Sequence, residues 1–405
     1  MVADIYLCNL EVFMGVVILS HSLAGTGVVR NGVRIANLAL SKGIATEYWV
    51  ISAEGPMRQE LHPDIPIVHI GPDWVRRMPR RLAGLACVAA LSVMIRERKP
   101  GLLFSAGNHF HLTANLAYRL AGKPSGVRFV GRASNAMPGV ERLGPLAGMP
   151  WISTFFQALG RAKYADMDPV IAVAQELGQS LAQIGVKPER IRVIPNGVNV
   201  EKLCALSEAP LDHPWFGKDN PPVVVAAGRL TRQKNYGLLL EAFALARKER
   251  ALRLVILGTG EPSIRASLEA KAMALGIADD TRFEGFVTNP YAYFARAGLF
   301  VLSSRWEGMS NVLLEAMACG CPVAAVAAPT GTAELLNHGQ IGPLTVADPQ
   351  ALARAMLDRL AAARASEVLR SRAQEYDLSR TMEAYAELLF GSHLSRDFSS
   401  TPTRG

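Results

Sequence analysis

Short apolar runs alternate with longer amphipathic stretches from residue 15 onward. In the first half of the chain the strand-like runs are residues 16–19, 47–51, 102–104, 170–173 and 191–194, and residues 31–41 and 82–95 have the apolar spacing of helices. Short apolar runs that are separated by helical stretches indicate a parallel sheet with helices on both faces. The pattern predicts a Rossmann-like α/β domain over residues 14–204.

The alternation starts again at residue 223. The strand-like runs are then residues 223–227, 254–257, 282–286, 299–302 and 323–326. Residues 205–222 are rich in proline, which is typical of an interdomain linker. The sequence therefore predicts two doubly wound domains, the second over residues 223–375, that face an interdomain cleft in which a ligand binds. A helix over residues 376–391 and a disordered polar tail over residues 392–405 are expected to follow.

Residues 1–13 precede the first predicted strand and are interpreted as a leader. Met14 opens the apolar run, so we expect an over-extended start codon. An additional edge strand is the alternative. A shortened chain that begins at Met14 and fails to fold would exclude the first interpretation.

Composition narrows the class of protein. Of 405 residues, 50% are hydrophobic and 19% are charged, which suits well-packed globular domains. The five cysteines are scattered and form no C-x-x-C pair, so neither a disulfide framework nor a zinc site is indicated, and Cys319 and Cys321 are interpreted as core residues. No window reaches the ~18–20 uninterrupted apolar residues of a membrane span. We expect a cytoplasmic protein.

The most informative segment is residues 303–320, where a strand ends, a polar loop follows and a helix starts at about Asn311. The backbone N–H groups of residues 309–312 at this helix end are suited to a diphosphate. Glu307 before the helix and Glu315 one turn into it can each accept hydrogen bonds from two neighbouring sugar hydroxyls. The alternative is a loop carboxylate and an exposed helix face without a role.

A second polar loop, residues 228–235, follows the strand-like run at 223–227. Arg229 and Lys234 at the carboxyl end of a strand can converge on the phosphates of a departing nucleoside diphosphate and stabilise its charge without a metal ion. Asn235 is predicted to cap the following helix. A solvated basic loop is the alternative.

At these two segments the chain resembles the retaining glycosyltransferases of family 4. That family carries two glutamates in an E-G-x-x-N-x-x-x-E pattern, which Glu307, Gly308, Asn311 and Glu315 match, and Gly-Arg and Lys-Asn pairs like those of residues 228–235. The resemblance implies a GT-B fold, a last helix that packs back on the N-terminal domain, and sugar transfer from a nucleoside-diphosphate sugar with retention of configuration. It also implies that Arg229 and Lys234 bind the diphosphate.

The resemblance implies further site residues. Gly27 and Gly260 would approach the donor, Val287 would hold the base through its backbone, His109 in preference to His111 would lie near the sugar, and Arg132 and Asn135 would line the acceptor side. For Gly27 the family usually has two adjacent glycines where this chain has Gly-Thr-Gly. The donor-binding set is thus Gly27, Gly260, Val287, Gly308, Met309, Ser310, Asn311 and Glu315. Tight turns, a strand end and surface-loop histidines are the alternative interpretations.

A basic cluster, Arg76, Arg77, Arg80 and Arg81, lies beside Trp74 and leads into an apolar helical stretch. Such a cluster can hold a protein on anionic lipid at about 1 kcal/mol per arginine, and we expect it to allow peripheral association with the inner face of the plasma membrane. A solvated basic loop is the alternative. Basic and aromatic residues do not interleave as in nucleic-acid-binding proteins, so no nucleic-acid partner is expected.

Together these patterns predict a glycosyltransferase with catalytic residues Glu307, His109, Arg229 and Lys234, no obligatory nucleophile and no metal ion or other cofactor. Asp166 and Asp168 have the D-x-D form of a metal motif but precede a strand, on the side of the sheet away from the cleft, and are interpreted as a turn. We expect a UDP-sugar donor and a glycan or lipid-linked acceptor in cell-surface polysaccharide synthesis. A sugar-nucleotide epimerase and a catalytically silent homologue are the rivals.

Overall fold

The computed structural model describes residues 13–135 and 158–391. The predicted leader, except Phe13, and the predicted tail lie outside these residues. The described chain forms two compact units. Unit 1 contains residues 13–135, 158–173, 177–194 and 382–391, and unit 2 contains residues 174–176 and 195–381.

Unit 1 is built on a parallel sheet of seven strands in the order β3-β2-β1-β4-β5-β6-β7. The strands are β1 Val16–Ser22, β2 Thr46–Ser52, β3 Ile67–His69, β4 Leu102–Ser105, β5 Arg128–Ala133, β6 Val170–Ala172 and β7 Ile191–Val193. Its helices include Gly27–Ser41, Arg80–Ala86, Val88–Arg98 and His111–Leu120, and it contains all but the first two residues of the helix Gln175–Gln183. The first four residues of β1 are fully buried, as expected for a central strand that is covered on both faces.

Two helix predictions in unit 1 were wrong at their boundaries. The first helix begins at Gly27 and not at residue 31, because the Thr26 hydroxyl accepts a hydrogen bond from the Val29 N–H at 3.3 Å and caps the earlier turn. The stretch predicted as one helix over residues 82–95 forms two helices that meet at Cys87, a fully buried residue.

Unit 2 contains a six-stranded parallel sheet in the order β10-β9-β8-β11-β12-β13. The strands are β8 Val223–Ala227, β9 Arg253–Leu257, β10 Thr281–Gly285, β11 Leu299–Leu302, β12 Val323–Val326 and β13 Leu344–Thr345. The helices include Val200–Ser207, Tyr236–Glu249, Pro262–Ala274, Tyr291–Arg296, Asn311–Ala318, Thr332–Leu335, Pro349–Ala361 and Ser366–Gln374. The fold class, two Rossmann-like domains with parallel sheets, is confirmed.

The segment predicted as a linker, residues 205–222, is packed against unit 2. His213 is buried, its Nε2 lies 3.2 Å from the Glu284 carboxylate, and its ring packs edge-on against Tyr293. The guanidinium carbons of Arg253 and Arg282 lie over the Trp215 ring, 4.9 Å and 4.7 Å from its centroid. The change from unit 1 to unit 2 falls before Pro195, whereas the predicted first domain extends to residue 204. Proline-rich composition indicates irregular backbone, and it says nothing about burial.

The last described helix, Leu378–Phe390, contributes its second half to unit 1. Tyr385 packs edge-on against Phe104 of β4, and Leu389 is buried in the same core. The Arg128 guanidinium at the start of β5 donates to the carbonyl groups of Leu388 at 2.8 Å and Leu389 at 3.3 Å. Lys or Arg side chains stabilise a helix end in this way because the last carbonyls have no partner within the helix.

Candidate functional site

The predicted donor-site residues of unit 2 follow β8, β9, β10 and β11, in the next loop or, for Asn311 and Glu315, in the helix after the β11 loop, and a further loop follows β12. Because all six strands are parallel, these loops meet at the carboxyl edge of the sheet, where doubly wound sheets bind ligands. The loops that contain Lys234, Glu307 and Thr330 are joined by hydrogen bonds. The structure thus brings together the two motifs of the sequence analysis.

Glu307 is the centre of this site. The residue is 7% exposed, and its Oε1 accepts from Lys234 Nζ and from Ser304 Oγ, each at 2.7 Å. Gln233 Nε2 lies 3.5 Å from the other carboxylate oxygen. A buried carboxylate requires such a charged partner and additional donors. Glu307 and Lys234 were predicted to have separate roles, whereas they contact each other directly in the structure.

The backbone on both sides of Glu307 is held by other loops. The Thr330 hydroxyl donates to the Glu307 carbonyl oxygen, and Asn196 Nδ2 donates to the Met309 carbonyl oxygen at 3.2 Å. Gly331 has a φ of 67°, and a Cβ atom there would lie 2.1 Å from the Gly308 carbonyl oxygen. A side chain at position 331 is therefore excluded twice, by its conformation and by the close approach of the Glu307 loop.

The helix Asn311–Ala318 begins directly after this loop. Ser310 is its N-cap residue by backbone position, but the Ser310 side chain makes no capping hydrogen bond. The buried Ser310 Oγ has no hydrogen-bond partner among the described residues. The first N–H groups of a helix have no intrahelical partner, so this end offers uncapped donors to an anion. Asn311 and Glu315 are half-buried on the same helix.

Lys234 and Arg229, the two cations predicted in the loop after β8, differ in their contacts. Lys234 points to Glu307, and Ser303 Oγ donates to the Lys234 carbonyl oxygen at 2.8 Å. Arg229 is exposed and has no hydrogen bond or ion pair within the described chain. Asn235 stands at the N-cap of the next helix with a φ of 52° and makes no side-chain cap, so its predicted capping role was wrong.

Glycines allow two loops to touch at this edge. Gly260 pairs with Leu230, and a Cβ atom at Gly260 would lie 2.5 Å from the Leu230 carbonyl oxygen. The loop that carries Gly260 therefore packs directly against the loop that carries Arg229. Strand β10 ends at Gly285 and not at residue 286, which leaves Phe286 77% exposed and Val287 half-buried beyond the strand.

In unit 1 the two histidines that follow β4, His109 and His111, differ in burial. His111 is fully buried; its Nδ1 lies 2.7 Å from Ser105 Oγ and its Nε2 lies 3.1 Å from the Arg132 carbonyl oxygen. Burial, opposed by the hydrogen bond to the Arg132 carbonyl, lowers the pKa of His111 to about 3, so it is neutral. His109 is exposed, with its ring 6.5 Å from that of His21. His109 is accordingly the histidine that a ligand could reach.

Arg132 and Asn135, the two residues predicted for the acceptor side, differ in their contacts and burial. Arg132 is 2% exposed and its Nε donates to the Tyr385 hydroxyl at 2.9 Å, so its side chain is part of the unit 1 interior. The carbonyl oxygen of Asn135 accepts from Asn108 Nδ2 at 2.8 Å, and Asn108 Oδ1 accepts from the Ser134 N–H. Asn108 thus joins the loop that carries His109 to the end of β5. Gly27, the remaining predicted residue, is the first residue of its helix.

The D-x-D segment lies at the opposite edge of the unit 1 sheet. Asp166 is paired with Arg119 and with Lys123, and Asp168 directly precedes Pro169 and β6. Among the described residues no group of three or more His, Cys, Asp or Glu side chains could hold a metal ion. None of the described helices is long and apolar enough to cross a membrane.

Comparison with known proteins identifies the family. The model for Glycosyltransferase Family 4 matches residues 27–202, and the model for Glycosyl transferases group 1 matches residues 221–362. The D-inositol 3-phosphate glycosyltransferase 1 of Catenulispora acidiphila is 31% identical over 311 residues, which cover 68% of this chain and 71% of the relative. The chain belongs to glycosyltransferase family 4.

Two further family comparisons bear on this glycosyltransferase. A Campylobacter jejuni protein named as an N-acetylgalactosamine-N,N'-diacetylbacillosaminyl-diphospho-undecaprenol 4-alpha-N-acetylgalactosaminyltransferase is 33% identical over 165 residues, or 40% of this chain, and the chain spans 42% of that relative's length. The crystal structure of Anabaena HepE in complex with UDP and glucose is similar with a TM-score of 0.72 and 21% identity, covering 93% of this chain and 99% of that one. The GT-B fold is thereby confirmed.

Several residues that hold the candidate site residues within one unit or the other were not identified from the sequence. They are Asn108, Asn196, Gln233, Ser304 and Thr330. Ser304 carried a local signal, because a hydroxyl three residues before a loop carboxylate can bond to it. Thr330 and Asn196 are far from Glu307 in sequence, and only the folded sheet brings them to its loop.

Proposed function

We propose that this chain transfers a sugar from a nucleoside-diphosphate sugar, with UDP as the first choice of nucleotide, to a glycan or lipid-linked acceptor, with retention of anomeric configuration. The observation that carries the proposal is the buried Glu307 carboxylate, held by Lys234 and Ser304 beside an uncapped helix end. The presence of UDP and glucose in the HepE structure supports the choice of nucleotide.

The leaving nucleoside diphosphate gains negative charge as the bond to the sugar breaks. Arg229 offers an exposed guanidinium, Lys234 an ammonium group, and the Asn311 helix its first N–H groups. Donors that are fixed before the reaction stabilise such charge most effectively. These cations make a divalent metal unnecessary for this role, so we propose a metal-independent reaction.

Carboxylate and imidazole groups orient the sugar in this proposal. Glu307 is fixed by Ser304 and Lys234 and retains oxygen lone pairs for a sugar hydroxyl, and Glu315 supplies a second carboxylate from the following helix. His109 is the exposed histidine of its loop. No residue is assigned as an obligatory nucleophile.

The test is ligand binding followed by turnover. Thermal unfolding of the purified chain should be measured with UDP-, GDP- and ADP-sugars, each with magnesium and with a chelator, since a ligand that binds the native state raises Tm. We expect a shift with one nucleotide class that survives chelation. The anomeric configuration of the product, read by NMR from the coupling at the anomeric proton, should match that of the donor.

Arg229→Ala and Arg232→Ala form a matched pair for this assay. Both arginines are exposed in the same loop. We expect Arg229→Ala to lower turnover by on the order of 10²-fold, as for loss of one oxyanion donor, and Arg232→Ala to leave it unchanged. A chain that binds no nucleotide, or equal rates in the two variants, would overturn the assignment.

We further propose that the acceptor is lipid-linked, in cell-surface polysaccharide synthesis, and reached at an anionic membrane. The name of the C. jejuni relative contains a saccharide that is linked to diphospho-undecaprenol, N-acetylgalactosamine-N,N'-diacetylbacillosaminyl-diphospho-undecaprenol. Near the basic cluster three large apolar side chains are each more than half exposed: Trp74, Leu82 and Leu85. Arg77 is exposed as well, and Arg76 is paired with Asp73 at 2.8 Å. The side chains of Arg80 and Arg81 lie outside the described residues. Exposed apolar residues beside cations suit the headgroup region of anionic lipid.

Vesicle flotation tests the membrane surface. Vesicles of phosphatidylglycerol and phosphatidylcholine should retain the chain at low salt, and Leu82→Ser with Leu85→Ser should release it. Leu120→Ser is the control, because Leu120 is an equally exposed leucine of another unit 1 helix. Retention that is the same in all variants, or no retention of the unaltered chain, would exclude this surface.

A further inference from the structure

Unit 1 contains a cavity of about 500 Å³ at the amino-terminal edge of its sheet. Arg128 begins β5, Asp168 and Pro169 directly precede β6, and Arg192 lies on β7, so the cavity opens where these strands begin. Gly27 and His109 follow the carboxyl ends of β1 and β4, at the other edge. The cavity is therefore separate from the predicted donor site, and its size is within the roughly 300–1,000 Å³ of small-molecule sites.

Part of the cavity wall is fixed by contacts within unit 1. Asp166 is held by Arg119 and, at 2.7 Å, by Lys123. The Arg128 guanidinium is occupied by the carbonyl groups at the end of the last helix. The Tyr118 hydroxyl donates to the Val127 carbonyl oxygen at 3.2 Å. These groups give the cavity a preformed shape.

Two charged lining residues keep hydrogen-bonding capacity for a ligand. Asp168 is exposed, and its carboxylate makes no hydrogen bond or ion pair with the described residues. Arg192 is also exposed and uses only Nη1, which donates to the backbone carbonyls of Glu189 and Ile191. Its Nε and Nη2 have no hydrogen bond within the described chain. The cavity thus offers one strong acceptor and one strong donor, with Pro169 and Leu388 as apolar surface between the polar groups.

We propose that this cavity is a second saccharide site, which binds a sugar ring of a glycan and not the nucleotide donor. A carboxylate accepts hydrogen bonds from neighbouring sugar hydroxyls, a guanidinium donates to hydroxyl or ring oxygens, and the C–H face of the ring packs on apolar side chains. Among the described cations at this wall, Arg119 and Lys123 are paired with Asp166 and Arg128 donates to the last helix, which leaves Arg192 alone to bind a diphosphate. A site here would hold a glycan chain away from the reacting end.

Saturation-transfer NMR on the full chain tests this site. Maltose, cellobiose, lactose and N,N'-diacetylchitobiose are added at millimolar concentration, with UDP in excess to occupy the donor site. We expect at least one disaccharide to bind in the presence of UDP. No binding by any of the four would overturn the proposal.

Variants locate the binding. Asp168→Asn and Arg192→Ala should each weaken the disaccharide by about tenfold, as for loss of one charged hydrogen bond, while Arg96→Ala, an exposed arginine elsewhere in unit 1, should not. Asp168 and Arg192 are exposed, so the variants are expected to fold, and an unchanged Tm and circular dichroism spectrum without ligand verify this. Binding that is unchanged in both cavity variants would place the sugar elsewhere and overturn the proposal. The outcome is separate from the donor assignment, because sugar binding is read without any transfer.

Discussion

Replacing Gly331 by alanine should lower the free energy of unfolding by more than the cost of the left-handed backbone conformation at position 331 alone. A non-glycine residue in the left-handed region costs about 1–2 kcal/mol. The new Cβ would also lie 2.1 Å from the Gly308 carbonyl oxygen, and backbone cannot rotate away as a side chain can. Overpacking of this kind costs about 1–3 kcal/mol, so the sum is about 2–5 kcal/mol.

Gly339→Ala is the matched control. Gly339 has a φ of 96°, and its Cβ atom would meet nothing within 4 Å. It should therefore show only the conformational cost, about 1–2 kcal/mol. At roughly 2–4 °C per kcal/mol for a unit of this size, thermal unfolding separates the two variants.

The rise in Tm on donor binding should distinguish Gly331→Ala from Gly339→Ala further. In Gly331→Ala the Gly308 carbonyl must move, and Glu307 with its contact to Lys234 moves with it, so the UDP-induced rise in Tm should be reduced. Gly339→Ala should keep that rise in full. Equal melting temperatures and equal UDP responses in the two variants would refute the view that the close approach at Gly331 holds the site.

Three further predictions concern single side chains. Glu307→Gln should lower turnover by on the order of 10²-fold. Ser304→Ala removes one hydrogen bond to the same carboxylate and should lower turnover by about tenfold. Initial rates at saturating donor measure both effects, and unaltered rates would contradict the central role of Glu307. Burial lowers the pKa of His111 from 6.5 to about 3, so the unfolded chain binds a proton at this histidine more readily than the folded chain does. The contribution of neutral His111 to stability is therefore complete above pH 6.5 and is lost as the pH falls towards 3. Urea unfolding between pH 7 and pH 4 should therefore show a smaller loss of stability in His111→Gln than in the unaltered chain, and parallel curves would refute this. Iodoacetamide should modify the half-buried Cys204 before Cys319 and Cys321, because burial raises the pKa of both buried thiols; peptide mass spectrometry gives the order, and faster labelling of Cys319 would contradict it.

Sequence periodicity predicted the strands well because central strands of a parallel sheet are apolar on both faces. Val16 and Leu299 begin runs that are buried throughout. Helix ends were predicted less well, since the start at Gly27 depends on the single hydroxyl of Thr26, and the break at Cys87 interrupts a sequence that has helical spacing on both sides.

The predicted site residues of unit 2 came from local patterns, and their mutual contacts did not. Glu307 and Arg229 could be chosen because loops after parallel strands meet at one edge. The pairing of Glu307 with Lys234 depends on the register of β8 beside β11, which no local spacing encodes. The burial of Arg132 could not be predicted from local spacing either, because the hydroxyl that its Nε contacts belongs to Tyr385 in the last helix.

The return of the last helix to unit 1 reverses the usual order of folding during synthesis. Domains near the amino terminus generally fold first as the chain leaves the ribosome. Here β4 and β5 emerge early, but Tyr385 and the carbonyl groups that Arg128 contacts are made only after residues 195–381. All residues of unit 2 are therefore synthesised before unit 1 is complete, and a nascent chain that ends at residue 381 contains the whole second unit but lacks the part of the last helix that fills the core of the first.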